Sequence, residues 1–156
     1  MGREKKERAY VKRRDFIRIA IKDDCSFIRK LSSEAFSMFG DYGEIIPRWF
    51  LNPDVITVIY VNKGHPMSFA MLSVPNGEIL AIAVIPQYQR SGIGSALLNH
   101  IELLANQLRL SRLLLHTAKE NYVAQLFFQK AGFKVIGTQE NYYPKGQIAL
   151  IMSKGI

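Results

Sequence analysis

The sequence predicts a single mixed α/β domain, with a central β-sheet of about seven strands flanked by about four helices. Three observations predict it. Segments of alternating or β-branched character take turns with segments whose apolar residues recur at helical spacing. Most boundaries carry a glycine, a proline or an Asn-Gly pair. The length, 156 residues of which 48% are hydrophobic, suits one domain with its own core, since domains commonly run to roughly 100–200 residues.

The elements follow in order. Residues 1–14 are polar, charged and aperiodic, and read as a flexible basic arm ahead of a domain at 15–156. Residues 16–21 alternate Phe16, Arg18 and Ala20 with Ile17, Ile19 and Ile21, the period of a strand. Asp23 or Asp24 is placed to cap a helix with the stripe Phe27, Leu31, Ala35 and Met38, and residues 40–43 break it. A short helix spans 44–51 and ends at Asn52-Pro53. Strands are expected at 55–61 and 67–74, the second followed by the hairpin signal Asn76-Gly77.

Residues 79–85 are apolar throughout, as in a strand buried on both faces, and Pro86 stops them. A long helix is expected at 91–108, with Ile93, Leu97, Ile101, Leu104 and Leu108 on one face. Residues 112–117 form a short buried strand, and 123–131 a helix closed by Gly132. Residues 133–138 and 147–153 pair around the loop 140–146.

Composition narrows the chemistry. One cysteine, Cys25, cannot close an internal disulfide or build a Cys₄ or Cys₂His₂ zinc site, and no metal is expected. Net charge is +8, but residues 1–15 hold seven basic groups against three acidic ones, half of the excess in a tenth of the chain. No apolar stretch of the about 7–15 residues of a secretory leader follows that basic start. The apolar runs fall short of the about 20 residues that cross a bilayer. The expectation is a soluble, cytoplasmic protein with no membrane partner. The arm is either a solvated tail or a contact for a polyanion such as the ribosome.

The most informative segment is residues 84–94, read as strand, turn, glycine-rich loop and helix. Amides at a helix start have no partner within the helix, and with the dipole they attract anionic oxygens. Gly92 and Gly94 remove side chains where a phosphate must approach, and Gln89 and Arg90 add donors. The pattern Gln89-x-x-Gly92-x-Gly94 is not a Walker loop, because no Gly-Lys-Ser/Thr follows. It is not a dinucleotide fingerprint either, since position 97 is Leu. A tight strand-to-helix turn without a ligand is the competing reading.

On this loop, and on Asn121 through Gly132-Phe133, the chain resembles the GNAT N-acetyltransferases from about Phe16 to Met152. Within them it is similar to the N-terminal (Nα) branch, the RimI-like enzymes and the archaeal and eukaryotic protein Nα-acetyltransferases. That likeness rests on Ile82-Ala83-Val84-x-Pro86, Gln89-Arg90-x-Gly92-Ile93-Gly94 and Asn141-Tyr142-Tyr143-Pro144. Where many relatives carry Glu-Asp, this chain has Gln147-Ile148.

The resemblance implies acetyl-CoA as cofactor, its pyrophosphate on Gln89, Arg90, Ser91, Gly92, Ile93, Gly94 and Ser95. It implies that backbone groups of Ile82, Ala83 and Val84 grip the pantetheine, with the Val84 amide polarising the thioester carbonyl. Asn121 would bond the pantetheine arm and Lys130 the 3′-phosphate, with Phe128 beside the thioester. Many members place a proton-donating Tyr at the position of Phe128, which cannot donate. Tyr142 and Tyr143 would close over the acceptor's amino end, opposite a wall that includes Phe39 and Tyr42.

For the base, the resemblance points to His116, a residue type that titrates near neutral pH and suits proton acceptance. The plain alternative is a histidine that merely ends a buried strand. Glu78 is a reserve base, or an ordinary exposed charge at a strand end. Trp49 is expected to be more of a core residue than Tyr42, and Phe127 to be core. His65 and His100 read as structural or solvent-facing, and nothing places Cys25 beside a base.

Three functions stay open. The first is acetyl transfer from acetyl-CoA to the α-amino group of a protein or peptide. The second is the same chemistry on a small amine or a lysine side chain. The third is a non-catalytic basic module that binds nucleic acid or the ribosome. Monomer and homodimer are both compatible with the chain.

Overall fold

The computed structural model describes residues 15–156, and the expectations for the arm at 1–14 lie outside them. Seven strands form one sheet: β1 (Asp15–Ile19), β2 (Val55–Asn62), β3 (His65–Ser73), β4 (Glu78–Val84), β5 (Arg112–Ala118), β6 (Lys134–Gln139) and β7 (Ala149–Gly155). Four α-helices flank it: α1 (Cys25–Ala35), α2 (Tyr42–Phe50), α3 (Ile93–Gln107) and α4 (Tyr122–Lys130). Single 3₁₀ turns occur at Lys22–Asp24 and Pro86–Tyr88. The strand order is β1-β2-β3-β4-β5-β7-β6. Neighbouring strands are antiparallel except β4 and β5, which are parallel and joined through α3. The predicted order of elements is the observed one. Among the described residues no helix is long and apolar enough to cross a membrane.

Alternation along the strands builds a core on each face of the sheet. On one face Leu97, Leu98, Ile101 and Ala105 of α3 pack on Val58, Leu72, Leu113 and Leu115, with Phe128 and Phe133 beside them. On the other, Ile28 and Leu31 of α1 and Ile46 of α2 cover Ile59, Phe69, Met71, Ala81 and Ala83. Both layers are fully packed, so truncating a residue such as Leu97 to alanine should cost about 2–5 kcal/mol.

Several local expectations are corrected, each for a physical reason. Asp24 makes no side-chain cap. Its carboxylate takes two hydrogen bonds from the Arg18 guanidinium, at 2.7 and 2.9 Å, and one from the Ile21 amide. The buried stripe of α1 is Ile28, Leu31 and Ser32, and the helix ends at Ala35, so Met38 lies beyond it and is 73% exposed. Gly43 sits inside α2 rather than breaking a helix; a Cβ there would lie 2.8 Å from Ser33 Cβ, so its absence lets α1 and α2 approach. Strand β4 is half-buried at alternate residues rather than buried on both faces, because it loses β5 along most of its length. Leu108 follows the last turn of α3 and is exposed.

Candidate active site

Two irregularities of β4 create the site. Its parallel pairing with β5 is confined to Glu78 with Leu114 and Ile79 with Leu115, after which the strands part. Leu80 is skipped in the register with β3, where Met71 faces Ala81 and Leu72 faces Ile79. This bulge reverses the alternation, so Ile79 and Ile82 face the α3 side while Ala81 and Ala83 face the α1 side. The result is a fork that opens through the sheet, part of a cleft of about 940 Å³.

Beyond the fork, backbone groups of β4 lack a neighbouring strand. The Ile85 amide donates to Met67 O at 3.0 Å, so by antiparallel alternation the amides and carbonyls of Val84 and Ile82 turn away from β3, into the gap. Gln89 Nε2 donates across that edge to Val84 O at 3.3 Å. Ala83 is oriented the other way: its side chain is buried under α1, and its carbonyl accepts from Ser68 Oγ at 2.6 Å. An extended chain with amide groups could therefore add to Ile82 and Val84 like a short β-strand.

The mouth of the fork meets the start of α3. The first bond of that helix runs from Ala96 N to Gly92 O, leaving the amides of Ile93, Gly94 and Ser95 outside the intrahelical ladder. Gly92 has φ of +89°, and a Cβ there would meet nothing within 4 Å, so the missing side chain leaves open space in front of those amides. Gln89, Arg90, Gly92, Gly94 and Ser95 line the cleft. Ser91 Oγ instead donates back to Tyr88 O, and the Ile93 side chain is buried in the core.

Helix α4 supplies the far wall. Asn121 Oδ1 accepts from Ala124 N at 3.2 Å, which caps the helix and leaves the side-chain NH₂ as a donor at the cleft. Lys130 lines the cleft from the last turn. Phe128 lines the cleft too, though it is only 6% exposed and packs edge-on to Phe127 and Phe133 in the core. Phe127, expected to be core, lines the cleft as well; its ring lies 3.4 Å from where a Gly94 Cβ would stand.

On the opposite face, just past the last β4–β5 pair, His116 Nδ1 lies 3.0 Å from Glu78 Oε1. Both side chains are largely enclosed, 13% and 15% exposed, so Glu78 is not the open strand-end charge that its position suggested. An ionised carboxylate only accepts, so this contact makes Nδ1 the donor and assigns Nε2 as the acceptor nitrogen of the neutral tautomer. The imidazole lies flat on Tyr142, with centroids 4.2 Å apart and planes 5° from parallel.

Tyr143 packs against Phe39 at 4.9 Å and Tyr42 at 6.5 Å. Burial, then the Glu78 carboxylate and Tyr42, pushes the Tyr142 phenol well above the usual tyrosine value. Burial, then Tyr142 and Tyr42, does the same to Tyr143, so both remain neutral donors. Tyr42 is the buried ring of this wall, at 9% exposure, and Trp49 is half-buried, the reverse of the expectation.

A latch holds these rings in place. The Lys145 amide donates to Phe39 O, Lys145 Nζ to Ser37 O at 3.0 Å, and Gln147 Nε2 to Met38 O at 2.7 Å. Pro144 presses on Gly40, where a Cβ would come within 2.7 Å of the proline ring. Sequence reasoning missed the latch. Its only trace there was the departure at Gln147 from the Glu of relatives. His65 is exposed, His100 half-buried on α3, and Cys25 half-buried at the start of α1.

The arrangement thus offers an anion cradle and an unpaired strand edge on one side of the fork, and an oriented imidazole with an aromatic pocket on the other. Residues 22–133 match the acetyltransferase (GNAT) family. An N-alpha-acetyltransferase of Saccharolobus solfataricus is 29% identical over 82 residues, 52% of this chain and 49% of that protein. The N-alpha-acetyltransferase 50 of Danio rerio is 34% identical over 106 residues, 67% of this chain and 60% of that protein. The matches thus span about half to three fifths of these relatives' lengths. The crystal structure of Ard1 from Thermoplasma volcanium shares the fold, with a TM-score of 0.80 and 22% identity, covering 92% of this chain and 98% of that one.

Proposed function

The chain belongs to the acetyltransferase (GNAT) family, and from that premise we propose that it transfers an acetyl group from acetyl-CoA to the α-amino group of a protein or peptide. The observation that carries this is the β4–β5 fork, with the Gly92 cradle at one side and the His116–Glu78 pair at the other. When bound, acetyl-CoA supplies an activated acyl group on a thiol that leaves readily.

The chain's own groups do the rest. The amides of Ile93, Gly94 and Ser95, with Arg90 and Lys130, hold phosphate oxygens. Asn121, the edge of Ile82 and the amide of Val84 hold an amide-bearing chain in the fork. The Val84 amide is the donor for the carbonyl oxygen, a contribution of about 3 kcal/mol where such donors are preorganised. Cofactor and acceptor approach from opposite faces of the sheet and meet at the fork, which removes much of the entropic barrier. His116 Nε2 takes the proton from the incoming amine, directly or through one water, while Glu78 fixes its tautomer. Phe128 offers no proton to the departing thiolate; ordinary thiols are acidic enough, near a pKa of about 8.5, to leave without a dedicated donor.

The α-amino acceptor is supported by the tyrosine pair and by the latch that roofs the pocket over them. The test is a panel of short peptides with free N-termini set against polyamines and free amino acids, with CoA release measured for each. Turnover of peptides above the small amines is expected. Turnover of small amines alone would replace this reading with its runner-up.

A further inference from the structure

We propose that the Thr117 hydroxyl donates a hydrogen bond to the sulfur from which the acetyl group departs, a role that the Phe128 ring cannot fill. The inference rests on the acetyl-CoA reading of the fork and adds a catalytic residue to it.

Thr117 stands on β5 two residues beyond Leu115, the last residue of that strand to pair with β4. It therefore lies where the fork is open, and it lines the cleft. Alternation along β5 sets its side. Leu113 and Leu115 are buried in the core under α3, so Thr117 shares their face and His116 takes the other. That face is the cofactor side of the fork, where Asn121 and, on α4, Ala124 and Phe128 also line the cleft.

The hydroxyl is enclosed but unengaged. Thr117 is 4% exposed. Among the described residues, the side-chain hydrogen bonds around this part of the fork are made by Gln89, His116, Asn121 and Gln125, and none engages Thr117 Oγ1. Nor is that oxygen sealed in the core, as Ser32 Oγ and Thr57 Oγ1 are, so the space it reaches is the cleft. A buried hydroxyl without a partner calls for an explanation, and an acceptor atom on a bound ligand supplies one. The other donors nearby have their tasks: the Val84 amide serves the carbonyl oxygen, and the Asn121 NH₂ the amide-bearing chain.

As the acceptor nitrogen bonds to the carbonyl carbon, the C–S bond breaks and its electron pair stays on sulfur. Thr117 Oγ–H donates to that pair and keeps its own proton, because an aliphatic hydroxyl is a much weaker acid than a thiol. The proton lost by the amine passes to His116, and solvent protonates the thiolate. A thioester sulfur is a poor acceptor and a thiolate a strong one, so the bond strengthens as the reaction proceeds and acts on kcat rather than KM.

The experiment compares the parent with Thr117→Val, which keeps the shape and removes the hydroxyl, and Thr117→Ser, which keeps the hydroxyl. CoA is bound to each and its thiol titrated by the ultraviolet absorbance of the thiolate; kcat and KM are measured with the best acceptor of the panel above. Glu78, Arg90, His116, Lys130, Tyr142 and Tyr143, the other titratable groups that line the cleft with Tyr42, are common to all three proteins, so the difference isolates the hydroxyl. In the parent, bound CoA should titrate below the about 8.5 of an ordinary thiol. Thr117→Val should raise that value by about one unit and lower kcat by about tenfold, with the acetyl-CoA KM and the melting temperature nearly unchanged. Thr117→Ser should restore both to within about threefold. A bound thiol no more acidic than free CoA, an equal value in parent and Thr117→Val, a loss confined to KM, or a loss of kcat that Ser does not restore would overturn the inference and leave the acetyl-CoA reading intact. A parent that binds no CoA would overturn both.

Discussion

His116 Nδ1 and Glu78 Oε1 are 3.0 Å apart, the closest polar contact of the imidazole, whose face is covered by Tyr142. The two residues come from strands that pair only at Glu78–Leu114 and Ile79–Leu115, so the opening of the fork and the placing of the imidazole are one structural event. Replacing His116 by alanine should lower kcat by about 10² to 10⁴ with acetyl-CoA affinity retained. Glu78→Gln should lower kcat by about tenfold, because an amide can donate as well as accept and no longer dictates the tautomer. The double variant should be no slower than His116→Ala alone, since Glu78 acts through His116. Losses that multiply would show that Glu78 works independently.

The latch makes a prediction about binding rather than chemistry. Gln147 holds Met38 O through its side chain, and its own carbonyl accepts from the Tyr142 and Tyr143 amides. Gln147→Ala should raise the peptide KM by about three- to tenfold and leave kcat and the acetyl-CoA KM nearly unchanged. A matching fall in kcat would mean that the latch positions reacting groups instead.

Gly92 tests the cradle. Its φ of +89° is costly for a β-branched residue, and a side chain there would stand in the open space before the α3 amides. Gly92→Val should weaken acetyl-CoA binding by at least about tenfold in a calorimetric titration, the equivalent of roughly 1.4 kcal/mol. Unchanged affinity would place the phosphates elsewhere.

Acid stability should depend on Asp24. The hydrogen bonds from Arg18 hold its carboxyl below the ordinary aspartate value; burial opposes this, and the Ile21 amide and the Arg18 charge assist it. A depressed pKa in the folded state means stability present above the unfolded aspartate value, near 4, and lost as pH falls through the folded one. Asp24→Asn should therefore cost about 2 kcal/mol at pH 7, and the gap between variant and parent should shrink as the pH drops below about 4. Urea midpoints across that range measure it. A constant gap would assign the stabilisation to shape rather than charge.

What could be read from the chain was what its neighbours along the sequence determine. The strand and helix order follows from local periodicity and from turns such as Asn76-Gly77, and the cradle is visible because Gly92 and Gly94 answer to backbone geometry within one loop. What escaped depends on partners far apart. Asp24 has the look of a cap until Arg18 arrives on β1. Glu78 looks exposed until the parallel pairing brings His116, 38 residues on, against it. Gln147 meets Met38 across 109 residues. The bulge at Leu80 leaves no mark in an apolar run, yet it turns the strand so that its two halves serve opposite faces.

The most direct measurement offers acetyl-CoA and a peptide carrying both a free α-amine and an internal lysine, and locates the acetyl group by fragmentation mass spectrometry. The account predicts acetylation at the α-amino group, lost in His116→Ala. An acetyl group on the lysine side chain, or no acetylated peptide at all, would contradict it.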